Sequence, residues 1–182
     1  ELHLDECARI MWMALDFRPS PIAGTWYEGD PTALARSVDE YLNRAMLPQL
    51  DGDVIGVVAP HAGHVYSGPV AGHAFAALKG MTPDLVAVLS PYHNYHPQPL
   101  LVTSHDAYLT PLGSVPIHGE AIRQLNSALV ESVGFGLTPI ARDREHSLEI
   151  ELPFLQRALG APFQLLPIMV RAQDPDGAHG LG

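Results

Sequence analysis

Two apolar runs, each closed by a proline with a histidine just beyond it, constrain this chain most. Val54 to Pro60 reads VIGVVAP and is followed at once by His61; Leu85 to Ser90 reads LVAVLS and is followed by Pro91, Tyr92 and His93. Short apolar runs rich in β-branched residues suit strands buried on both faces, as in parallel sheets. Between the two, Ser67-Gly68-Pro69 predicts a helix start, Val70, Ala74, Ala77 and Leu78 its apolar stripe, and Gly80 its stop. Strand, helix, strand is the βαβ pattern, with a right-handed crossover expected. Both strands then run the same way, so His61 and His93 leave the carboxyl edge of one sheet, where open α/β sheets place ligands.

The rest of the chain extends this pattern. Asp30-Pro31 is a helix start, an N-cap acid followed by proline at the first helical position, and the apolar spacing predicts a helix from Pro31 to about Met46. LLVTS (Leu100 to Ser104) reads as a third strand. YLTPLGSVPIH is loop or edge structure, and Ile122, Leu125, Leu129 and Val133 mark a helix ended by Gly134. HSLEIELPFLQRALG (His146 to Gly160) fits both a helix and, through Leu148, Ile150 and Leu152, an alternating strand. Its length and Gly160 favour a helix, kinked near Pro153. FQLLPIMV (Phe163 to Val170) reads as a further buried strand. The fold class expected is α/β, a mostly parallel sheet flanked by helices, in a single domain with an N-terminal extension over 1–17 and a polar tail over 172–182.

Composition narrows the function. A formal net charge of -10, with no basic run, excludes tracking of a nucleic-acid backbone. No apolar run approaches the length of a membrane span. The N-terminal ARIMWMAL is preceded by acids rather than by the basic residues of a signal peptide, and reads as a terminal helix. The single cysteine, Cys7, permits no intramolecular disulfide and has no base near it in sequence. A cytoplasmic location is the expectation.

Ten histidines are the chemical resource. Two imidazoles facing one cleft begin a transition-metal site, which needs at least one further ligand; the alternative is two loop histidines bonded to backbone carbonyls. His64 and His96, three residues beyond His61 and His93, are candidates for the same mouth. His73 falls on the predicted apolar stripe and reads as a core histidine, whereas His3, His105, His118 and His179 read as surface or loop residues. Asp143, Glu145, His146 and Glu149 lie close together in sequence. The His146 and Glu149 pair could bind metal, move protons or cap a helix.

Several stretches, in order, resemble the Memo family, also known as the AmmeMemoRadiSam system protein B family. They are RPSPIAGTWYEGDP with its A-G-x-W-Y core from Ala23 to Tyr27, APHAGHVYSGPVAGHAF, LSPYHNYH, DAYLTPLG and REHSLEIELPFLQ, across about residues 18–171. The resemblance implies a fold similar to class III (LigB-type) extradiol dioxygenases, which hold non-haem Fe(II) at the carboxyl edge of a sheet and cleave catechols with O₂. It implies that His61 and His93 are metal-site residues, and that Glu145, His146, Ser147 and Glu149 support or line the cleft.

Family members continue for about another hundred residues, so the C-terminal portion of the family domain is expected to be lacking here. The third ligand would come from the segment around His146, from another chain or from solvent, or would be lacking. A metal-binding, dioxygenase-like protein is the leading expectation, with Fe(II), or Zn, at His61 and His93. His64, His96, His146 and Glu149 would be catalytic candidates, and Tyr66, Tyr92 and Tyr95 would contact a small aromatic molecule or peptide. The competing expectation is a non-catalytic peptide or small-ligand binding module that keeps the cleft. A zinc hydrolase would need Glu149 as its base. Phe163 to Val170 is expected to be an exposed edge strand, and self-association into a homo-oligomer to follow from it.

Overall fold

The computed structural model describes residues 15–171 together with Ala178 and Leu181. The N-terminal helix expected over residues 8–15 (all but Leu15), Cys7, His3, His179 and most of the polar tail lie outside the described residues.

Two sheets organise the chain. Phe17–Arg18 (β1), Ala107–Thr110 (β4) and Gly113–Pro116 (β5) form a small sheet in the order β1-β4-β5, with β1 parallel to β4 and β4 and β5 joined as an antiparallel hairpin. Leu85–Pro91 (β2), Leu100–Thr103 (β3), Thr138–Ile140 (β6) and Gln164–Val170 (β7) form the main sheet in the order β2-β7-β3-β6. The pairs β2 with β7 and β3 with β6 are parallel, but β3 and β7 run antiparallel, so the sheet is mixed.

Two expectations are overturned here. The strand β7 is central rather than an edge, which its composition explains: Leu165, Ile168 and Met169 are all buried, as a strand covered on both faces requires. Val54 to Ala59 forms no strand. Val57 and Ala59 pack on the main core, yet among the described residues no backbone hydrogen bond reaches the segment. Its apolar sequence suits a sheet, but no described strand lies against it.

The helices follow their caps. In Pro31–Arg44 (α1), the Asp30 carboxylate accepts from the Ala33 N–H at 2.8 Å, and Leu34, Val38 and Leu42 are buried. Gly119–Val133 (α3) ends at Gly134 with φ 78°, the left-handed C-terminal cap. Leu152–Ala158 (α4) follows a 3₁₀ turn at Glu149–Glu151, and Pro153 sits in its first turn, where no hydrogen bond is lost and no kink arises.

His64–Ala76 (α2) begins three residues before the predicted start, and Pro69 lies inside it. The buried face is His64, Ser67, Gly68, Ala71, Gly72 and Phe75. His73 is exposed, its Nδ1 2.8 Å from the Pro69 carbonyl, which corrects its assignment to the core. The true stripe is built of small residues because α1 approaches closely. A Cβ at Gly72 would lie 2.7 Å from the Tyr41 carbonyl oxygen, which belongs to rigid backbone. Gly72→Ala is therefore expected to lower stability by about 1–3 kcal/mol, read as a drop in the urea midpoint.

Candidate metal centre

The run Val54 to Pro60 delivers His61, the turn after β2 delivers His93, and the loop before the 3₁₀ turn delivers His146. The ring centres of His93 and His146 stand 4.7 Å apart with an interplanar angle of 13°. His61 lies 5.3 Å from the first and 6.2 Å from the second. Three imidazoles from separate stretches thus converge although the first stretch is not a strand.

Glu145 orients this cluster. Its Oε1 lies 2.8 Å from His93 Nδ1 and accepts from the N–H groups of His146 at 2.8 Å and Ser147 at 3.0 Å; its Oε2 accepts from the His93 N–H at 2.7 Å. Burial works to raise this carboxyl, but the His93 and Ser147 backbone donors, the His93 ring and the His146 backbone donor together bring it down to about 2. A carboxylate only accepts, so His93 Nδ1 carries the proton and Nε2 presents its lone pair.

Glu145, His93 and His146 offer donor atoms within 4.8 Å of one another. Both Glu145 oxygens are nevertheless engaged, and the side chain is buried. Glu145 therefore suits an orienting role better than a ligand role. His61 and His146 are both pushed toward the neutral form, first by burial; the His93 ring adds to this at His61, while at His146 the Glu145 carboxylate opposes it ahead of the smaller effects of the His93 and His61 rings. Neutral imidazoles are what a metal ion requires.

The remaining sequence candidates fall in different places. His64 is buried in the core, with Nε2 3.1 Å from the Ile150 carbonyl and its ring against Phe154 and Tyr27, so it does not join the cluster. His96 accepts from the Gln98 N–H at 3.1 Å and has its ring 6.3 Å from Tyr92. Tyr66 and Tyr95 are exposed, the latter 5.9 Å from the Arg171 guanidinium, and Tyr92 is partly buried beside the turn.

Glu149 is fully buried. It takes a 2.5 Å ion pair from Arg18 Nη1 and hydrogen bonds from Ser20 Oγ and from Tyr27 Oη at 2.8 Å. A carboxylate buried and held by three donors, one of them a guanidinium, is committed to this network rather than free to serve as a hydrolytic base.

Sequence reasoning missed the groups that hold the centre together. Arg18, from β1, bonds Asp143 through Nε and Nη2, Glu149 through Nη1 and the Glu145 carbonyl through Nη2 at 2.5 Å. It thereby fixes the loop that carries Glu145 and His146. Trp26 packs its ring 4.2 Å from that of His146. Both lie in the RPSPIAGTWYEGDP stretch, so the motif itself was the available signal; burial of an arginine has no signature in spacing.

A small α/β fold with imidazoles gathered beside its main sheet defines the class of protein, one in which His93, Glu145 and His146 form a group that could hold a metal ion. Residues 18–182 match the family model described as Memo-like protein, and the chain belongs to that family. It is 37% identical over 165 residues to a MEMO1 family protein of Methanococcoides burtonii, covering 91% of this chain and 59% of that protein. It is 31% identical over 171 residues to one from Nitrosopumilus maritimus, covering 91% and 60%. A third, from Methanopyrus kandleri, is 36% identical over 176 residues, again covering 91% and 60%. The chain thus spans about three-fifths of the length of these curated relatives. Among the described residues, no helix is long and apolar enough to cross a membrane.

Proposed function

We propose that this chain binds a divalent transition metal, Fe(II) foremost, through His61, His93 and His146, and presents it to a small aromatic diol and O₂. The observation that carries the proposal is the convergence of the three rings with Glu145 on the far nitrogen of one of them. The three ring separations are compatible with a shared ion, but the donor atoms that already lie within 4.8 Å of one another are those of His93, His146 and Glu145, so His61 would have to turn in toward them to ligate. An imidazole donor set suits iron, zinc, copper and nickel. The metal, when bound, would supply Lewis-acid and redox activation of oxygen and substrate.

The protein's own contribution is to favour the neutral form of His61 and His146 and to aim His93. Glu145 fixes the His93 ring, Trp26 packs beside His146, and Arg18 fixes the loop beneath. Glu149 and His64 are committed elsewhere, which leaves Tyr92, beside Glu145, and His96, beside Tyr92, as the remaining sequence candidates near the cluster.

Metal content tests the reading. Wild type loaded anaerobically with Fe(II) or Zn(II) and desalted is expected to retain about one ion per chain, and a His61→Ala/His93→Ala double variant essentially none; equal retention overturns the site. Oxygen uptake with a panel of catechols tests the reaction, and uptake lost in His93→Ala supports it. Metal retention with no uptake across the panel favours the competing binding module, for which the exposed rings of Tyr66 and Tyr95 are the contact surface.

A further inference from the structure

Two links tie the turn that carries His93 to the loop that carries His146. One is the Glu145 carboxylate. The other is the Ser147 hydroxyl, which donates to the Pro91 carbonyl at 2.6 Å. Ser147 is 1% exposed, and a buried hydroxyl needs a partner of this kind. Its own footing is firm. Leu148 and Ile150, just beyond it, are buried in the main core, and the Ile150 N–H donates to the His146 carbonyl at 2.9 Å.

At the far end of that bond the effect falls on a single peptide unit. Pro91 closes β2 and has no N–H, so its carbonyl is its whole main-chain capacity for hydrogen bonds. The Tyr92 N–H, in the same peptide plane, donates to the Val170 carbonyl of β7 at 2.9 Å. The plane between Pro91 and Tyr92 is therefore held at its oxygen by Ser147 and at its nitrogen by β7. A rigid peptide plane pinned at both edges cannot rock, and His93 hangs from the next one. With the hydroxyl gone, only the β7 side is held, and the turn is free to swing about it.

We propose that Ser147 is a positioning residue whose hydroxyl sets the spacing of the His93 and His146 rings, 4.7 Å between centres and 13° between planes, while Glu145 sets the direction in which His93 Nε2 points. Glu145 grips the His93 ring itself; Ser147 grips the backbone from which that ring hangs. The consequence for metal binding rests on the proposed metal centre. Ligands that share an ion must be held to within about 0.5 Å of their working positions, so a slack turn costs affinity even when the ring keeps its tautomer.

The test begins with the metal-free protein. In wild type, nuclear Overhauser peaks should join the ring protons of His93 and His146, and the imidazole nitrogen shifts should place the neutral His93 proton on Nδ1. Ser147→Ala is expected to lose the inter-ring peaks and to keep the Nδ1 proton. Ser147→Thr retains the hydroxyl but adds a methyl group at a buried site, so it should keep the peaks; a mere packing role would make Thr the worse of the two. Loaded with Zn(II), Ser147→Ala should bind about tenfold more weakly than wild type in a chelator competition. Ser127→Ala, which removes a hydroxyl bonded to the Arg123 carbonyl on exposed α3, should match wild type throughout. Inter-ring peaks that persist in Ser147→Ala, or that are absent from wild type, overturn the proposal. So does loss of the Nδ1 proton together with the peaks, which would mean that Ser147 acts by way of Glu145. Wild type that shows the peaks but retains no metal overturns the proposed function, while the Ser147→Ala spectrum still decides the positioning role.

Discussion

Arg18→Met is expected to lose about 3–5 kcal/mol of stability, a large share of the roughly 5–15 kcal/mol that holds a domain folded. The guanidinium is 1% exposed and stands between Asp143, at 2.7 Å, and Glu149, at 2.5 Å, over the face of the Tyr108 ring. Removing it leaves two buried carboxylates without their cation, and desolvation then works against both. Urea denaturation followed by circular dichroism reads the loss. A second substitution distinguishes the cause: Arg18→Met/Glu149→Gln should recover part of the lost stability, because one orphaned charge is gone. An unchanged midpoint in the single variant would mean that the network contributes nothing net.

Glu145→Gln is expected to have two separable effects. Metal affinity should fall 10- to 100-fold, the usual cost of removing the carboxylate behind a ligating histidine, read by competitive chelator titration. The second effect is on pH dependence. The Glu145 carboxyl is held at about 2, below its ordinary 4.5. A carboxyl lowered by folding stabilises the native state above its unfolded value, and the contribution disappears as pH falls from about 4.5 to 2. The wild type should therefore lose about 3 kcal/mol across that window. The variant should begin lower by about that amount at neutral pH and lack this part of the slope. Parallel acid profiles for the two proteins would show that the bonds to Glu145 are not stabilising.

The sequence was most legible where a local rule acts alone. The cap at Asp30-Pro31 and the left-handed Gly134 mark α1 and α3 because a single residue's geometry decides each end. Proline-histidine punctuation located His93 because a strand end fixes where the next side chains go, whereas His61 reaches the same place from a run that forms no strand. It was less legible where two elements share one surface. The stripe of α2 was misplaced because its buried face is made of Gly68, Ala71 and Gly72, chosen for the close approach of α1 rather than for hydrophobicity. The mixed direction of β3 and β7 depends on a crossover that no local pattern records. His146 stood among the candidates without a fixed role, since its neighbours His61 and His93 are distant in sequence and only folding brings their rings together.

Of the four donors that grip Glu145, three are main-chain N–H groups, those of His93, His146 and Ser147. Codon changes cannot delete such donors except by introducing proline. Heritable variation therefore reaches this anchor almost solely through the glutamate itself, through the His93 ring, or through a proline at one of three positions. The side chains around the cleft can diversify, and the chemistry with them, while the imidazole beneath stays aimed. A lineage could vary the lining of this cleft many times before the His93 ring lost its orientation.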